Sequence, residues 1–96
     1  MLLDELHEKR HAILNAARAH GAHGIRVFGS VARGQEDQGS DIDFLVDFDK
    51  GYDLFTQRMA LAERLAEITG HDVDLIPLHE LNRHIRDAVL AEAREL

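Results

Sequence analysis

The stretch DIDFLVDF, Asp41 to Phe48, constrains the fold of this chain more than any other segment. Successive side chains of a strand point to opposite faces. Ile42, Phe44, Val46 and Phe48 therefore share one face, and Asp41, Asp43, Leu45 and Asp47 share the other. Four large apolar side chains on one face require cover, so helices must pack there. The opposite face looks outward with its carboxylates. Asp41 and Asp43 point the same way, and two carboxylates about 4 Å apart repel by about 4 kcal/mol at an effective dielectric of about 20. Something has to offset that repulsion.

The remainder of the sequence supplies the helices. Leu3, Leu6, Ile13, Leu14 and Ala17 recur at helical spacing from Leu3 to about His20, and Gly21 follows as a stop. Ile25 to Phe28 reads as a short strand. Gly29-Ser30 breaks it, with Ser30 placed to cap a short helix running through Arg33. Gln35 to Ser40 is polar and contains glycine, which predicts a loop. A helix is expected from about Asp53 to Thr69 with Phe55, Met59, Ala62, Leu65 and Ala66 facing inward, ended by Gly70. A third strand, Asp72 to Leu78, sets Asp74 on the face opposite Val73 and Leu75. A last helix from about Glu80 to Glu95 presents Leu81, Ile85, Ala88 and Val89, either to the core or to a partner. The order of elements predicts an α+β domain: a small mixed sheet of three strands, with room for a fourth, and helices packed mainly on one face.

At 96 residues the sequence is read as a single domain, residues 1–96, and a large substrate platform is expected to come from another molecule. No apolar run approaches the roughly 20 residues needed to span a bilayer, and the N-terminus lacks the pattern of a signal peptide. Together with the absence of cysteine, this gives the expectation of a cytoplasmic protein with no membrane association. The formal charge of -7, with eleven scattered Lys and Arg residues, argues against direct nucleic-acid binding.

Asp41 and Asp43, with Asp74 in a strand able to pair alongside, form a carboxylate cluster that a divalent cation would stabilise. Mg²⁺ favours carboxylate oxygens together with phosphates and water, and two such ions would clamp both oxygens exchanged in a phosphoryl transfer. Gly29-Ser30 complements them. Glycine lets the backbone approach a phosphate closely, the following N–H groups point at the anion, and the Ser30 hydroxyl adds a hydrogen bond. Arg33, one turn on, is placed to neutralise triphosphate charge.

Val27-Phe28-Gly29-Ser30, then Ser40-Asp41-Ile42-Asp43, then Val73-Asp74-Leu75, resemble the signature of the nucleotidyltransferases that share the DNA polymerase β type of fold. The longer string GSVARG…GSDIDFLV is similar to that of the minimal nucleotidyltransferases, the MNT antitoxins paired with HEPN toxins, and the resemblance covers nearly the whole chain. It implies a nucleotidyltransferase fold and an enzyme that uses ATP and two Mg²⁺ ions to transfer AMP to a tyrosine hydroxyl of a HEPN ribonuclease, silencing it within a hetero-oligomer. In that implied scheme Asp41, Asp43 and Asp74 are the metal-binding and catalytic residues, with Asp74 also accepting the hydroxyl proton. Gly29, Ser30 and Arg33 bind the phosphates.

Two other readings stay open: an antitoxin that occludes its toxin sterically without transfer, and a nucleotidyltransferase acting on a small hydroxyl compound such as an antibiotic. The intact set of aspartates argues against the steric one. His7 and His11 have the i, i+4 spacing of zinc ligands but no evident third partner, and they are read with the other five histidines as surface residues. Tyr52 is placed either over a nucleotide base or on the core.

Overall fold

The apolar face of the Asp41 strand is the centre of the core. In the computed structural model, which describes residues 2–37, 39 and 41–96, β2 (Ile42–Val46) is the middle strand of a three-stranded sheet. It runs antiparallel to β1 (Ile25–Phe28) and parallel to β3 (Val73–Pro77). Ile42, Phe44 and Val46 are fully buried and Phe48 nearly so, in one cluster with Leu6, Ile13, Val27, Leu61 and Leu65. Gln38 and Ser40, which belong to the predicted loop, lie outside the described residues, as does Met1.

The N-terminal helical segment is divided at Lys9 into α1 (Leu2–Glu8) and α2 (Arg10–Ala19). The Lys9 N–H is shared between the carbonyls of Glu5 and Leu6, which tightens the turn without ending the helical path. Glu36 accepts a bond from the Leu2 N–H and so satisfies one of the orphan donors at the start of α1. A four-residue helix, α3 (Gly29–Ala32), follows β1 directly.

The segment predicted as a single helix from Asp53 begins differently. Asp53 caps it, its carboxylate accepting the N–H groups of Phe55 (2.9 Å) and Thr56 (2.8 Å). Leu54–Met59 then forms a wide π turn before the regular helix α4 (Ala60–Thr69). The wide turn rotates the face presented. Phe55 is 70% exposed and Met59 53% exposed, whereas Leu61 and Leu65 are buried. The expectation that Phe55 and Met59 face inward is corrected on this ground, since it carried the ordinary helical period back through a segment that lacks it. Gly70, at φ 73°, ends α4 in the left-handed conformation expected of a stop.

A 3₁₀ turn at Leu78–Glu80 leads to α5 (Arg83–Glu92), capped by the Asn82 side chain on the His84 N–H at 2.8 Å. None of the residues of α5 is buried, and Ile85 is 51% exposed, so the helix is not a core element. The chain then crosses back to β1, where Arg94 and Val27 exchange two backbone hydrogen bonds of 2.8 and 2.9 Å. Among the described residues no helix is long and apolar enough to cross a membrane.

Candidate active site

The strand register assembles the carboxylates. Asp43 of β2 stands directly opposite Asp74 of β3 in the parallel pair, and opposite Phe28, the last residue of β1. Directly opposite residues project to the same face of a sheet. Asp41, two residues before Asp43, joins them at the same end, where the Ile42 N–H is anchored on the Asp72 carbonyl at 2.9 Å. Asp41 and Asp74 are exposed and Asp43 is half-buried.

Gly29 locks the glycine turn against this group. Its φ is 72°, the left-handed region, and a β-carbon at this position would stand 2.1 Å from Oδ2 and 3.0 Å from Cγ of Asp43. Only glycine fits, both for its backbone angle and for the carboxylate it abuts. Ser30 is not the cap of α3. The capping position falls on Phe28, and Ser30 lies inside the helix with its carbonyl accepting the Gln35 N–H at 2.8 Å. Its hydroxyl makes no hydrogen bond among the described residues and is available to a ligand.

Charge is crowded here. Burial, followed by the neighbouring Asp74 and Asp41, holds the Asp43 carboxyl above its ordinary value, Arg33 pulls it back, and Glu92 adds to the rise. Glu92 had no signal in the sequence. It comes from the end of α5, where one carboxylate oxygen accepts both the Gly29 N–H (2.7 Å) and an Arg33 N–H (2.7 Å). Arg33 is thus brought to the Gly29 turn, with a second bond from Nε to Gln35 at 3.0 Å.

Among the described residues no three His, Cys, Asp or Glu side chains converge closely enough to hold a metal ion by themselves. The donor set nevertheless suits Mg²⁺, which takes one or two carboxylates plus phosphate oxygens rather than a cage made wholly of protein. Adjacent Asp43 and Asp74 supply such a pair, and Asp41 stands at the same end of the strand. His23 pairs with Asp49 at 2.9 Å. Tyr52 stacks on Phe48 at 4.9 Å between ring centres and donates its hydroxyl to Glu80, which places it on the protein and not over a free base site. A cavity of about 450 Å³ lies toward the other end of the sheet, between Arg26, Leu45, Asp47 and Leu96, away from Asp43.

A glycine turn held against adjoining carboxylates, at the end of a mixed sheet with helices on its other face, defines a nucleotide-transferring domain. The chain belongs to the Polymerase beta nucleotidyltransferase family, whose pattern matches residues 12–96, and is an enzyme of that class. It is 32% identical over 88 residues to a Methanocaldococcus jannaschii protein named "Putative protein adenylyltransferase MJ0435", covering 92% of this chain and 94% of that one. A solved structure described as a "putative minimal nucleotidyltransferase" superposes with a TM-score of 0.87 at 40% identity, covering 100% of this chain and 97% of the other. A second, described as a toxin-antitoxin with AMP-PNP, gives a TM-score of 0.72 at 28% identity over 85% of this chain and 67% of that one.

Proposed function

We propose that the chain is an antitoxin that transfers AMP from ATP to a hydroxyl, that of a tyrosine, on a HEPN-domain ribonuclease toxin and thereby silences it. The observation that carries this reading is the close approach of Gly29 to the Asp43 carboxylate beside Asp74, which supports reading the turn as phosphate-binding and the aspartates as metal-binding. The similarity to proteins described as a protein adenylyltransferase and as a toxin-antitoxin supports it.

The roles follow from position. The Gly29 N–H, the Ser30 hydroxyl and Arg33 bind anionic oxygens of the triphosphate and fix its orientation over the end of the sheet. Asp41, Asp43 and Asp74 would hold two Mg²⁺ ions together with phosphate oxygens. When bound, Mg²⁺ neutralises phosphate charge and relieves the repulsion among these carboxylates. Asp74, the more exposed member of the Asp43–Asp74 pair, takes the proton of the incoming hydroxyl as its oxygen bonds to the α-phosphorus and pyrophosphate leaves.

Intact-mass spectrometry of the HEPN partner after incubation with this protein, ATP and Mg²⁺ tests the reading. The partner gains mass in whole AMP units, and Asp43→Asn lowers the rate by at least about a thousandfold, the effect of losing several kcal/mol of charge stabilisation. A stable complex with no mass gain would replace transfer by steric occlusion. Transfer only to a small hydroxyl compound would remove the toxin from the scheme.

A further inference from the structure

The two groups best placed to receive a phosphate are already engaged by an anion from the chain itself. A single Glu92 oxygen sits 2.7 Å from the Gly29 nitrogen and 2.7 Å from an Arg33 guanidinium nitrogen. A backbone N–H and a guanidinium converging on one carboxylate oxygen is the pattern with which proteins hold phosphate oxygens. Glu92 also brings a negative charge toward the aspartates and contributes to the raised proton affinity of Asp43. Its seat is therefore favoured by two donors and opposed by its acidic neighbours.

Apart from its last turn, the element that delivers Glu92 is lightly attached. No residue of α5 is buried, and Ile85 on it is half-exposed. Its C-terminal end is tied down by the Arg94–Val27 backbone pair, with Leu96 packed against the core cluster. Elements with few buried contacts open at low cost relative to the core.

We infer that Glu92 is an autoinhibitory stand-in for a phosphate group, and that its carboxylate must leave Gly29 and Arg33 before a nucleoside triphosphate can bind there. The inference rests on the reading of Gly29 and Arg33 as phosphate-binding residues. In the closed arrangement the enzyme is protected from idle turnover, and whatever draws α5 aside raises its affinity for the nucleotide. A contact closed nine-tenths of the time weakens apparent affinity about tenfold, because only the open fraction binds.

Calorimetric titration with AMP-PNP and Mg²⁺ tests this in the parent, Glu92→Gln and Glu92→Ala. Glu92→Ala binds about tenfold more tightly than the parent, with Glu92→Gln between them because its amide oxygen still accepts while the charge is gone. Inorganic triphosphate shows the same gain, and adenosine shows none, since the competition lies at the phosphates. Equal or weaker AMP-PNP binding by Glu92→Ala, in a parent that binds, would overturn the inference and make Glu92 a support for Arg33. A gain for adenosine equal to that for AMP-PNP would overturn it in favour of simple covering by α5. Absence of AMP-PNP binding in the parent and both variants would overturn the nucleotide reading of the site as well.

Discussion

Replacing Gly29 by alanine meets two separate penalties whose sizes follow from the geometry. The first is conformational: at φ 72° a residue with a β-carbon is in the left-handed region, at a cost of about 1–2 kcal/mol. The second is steric: the new carbon would lie 2.1 Å from the Asp43 Oδ2. The carboxylate must turn away, and a side chain forced off its rotamer costs about 0.5–1.5 kcal/mol. The expected loss is about 1.5–3.5 kcal/mol, a fall in Tm of roughly 6–28 °C for a domain of this size. Urea unfolding followed by circular dichroism measures it, and a double-mutant cycle separates the two parts. In an Asp43→Ala background the steric part vanishes and Gly29→Ala costs only about 1–2 kcal/mol. Equal losses in the two backgrounds would refute the close approach of Gly29 to Asp43. A loss below about 0.5 kcal/mol in both, the size of an ordinary surface change, would refute the left-handed turn itself.

Asp43 yields a prediction about pH. The folded chain holds the Asp43 proton more tightly than the unfolded chain does, so this group lowers stability as pH rises from 3.8 through its folded-state value. Without metal, Asp43→Asn is therefore more stable than the parent at neutral pH, and the difference closes below 3.8; urea midpoints at both ends of that window check the sign. Phe55→Ser changes stability by no more than about 0.5 kcal/mol because the ring is exposed. Leu61→Ala, in the fully buried part of the same helical segment, costs about 2–5 kcal/mol. A large loss at Phe55 would mean that the wide turn does not rotate it outward.

The parts of the molecule governed by local alternation were legible in the sequence. β1 has the bounds read from its β-rich residues, and the apolar face Ile42, Phe44, Val46 and Phe48 is buried as its period demands. The same period, applied to two strands, brought Asp43 beside Asp74. What escaped depended on other signals. Alternation sets Leu45 on the face of the aspartates, yet it is 3% exposed and lines a cleft with Leu78 and Leu96. The wide turn that exposes Phe55 and Met59 follows the capping residue Asp53 and has no apolar period of its own. Ile85 looked equally suited to core or partner, and only the path of α5 decides that it stays outside. Glu92 meets Gly29 across 63 residues of chain, a distance over which no local pattern operates.

The backbone pair between Arg94 and Val27 has a counterpart on the far side of the sheet. In β3 the alternation of the parallel ladder turns the backbone groups of Leu75 and Pro77 toward the border, where the Leu75 carbonyl accepts from the Arg58 Nε–H at 3.1 Å and Pro77 has no N–H to offer. In β1 both outward groups of Val27 are taken by Arg94. A sheet of only three short strands leaves two borders, and unpaired borders recruit strands from neighbouring molecules. Here each border is blunted by different means, so the chain resists fibre-like stacking despite its small core.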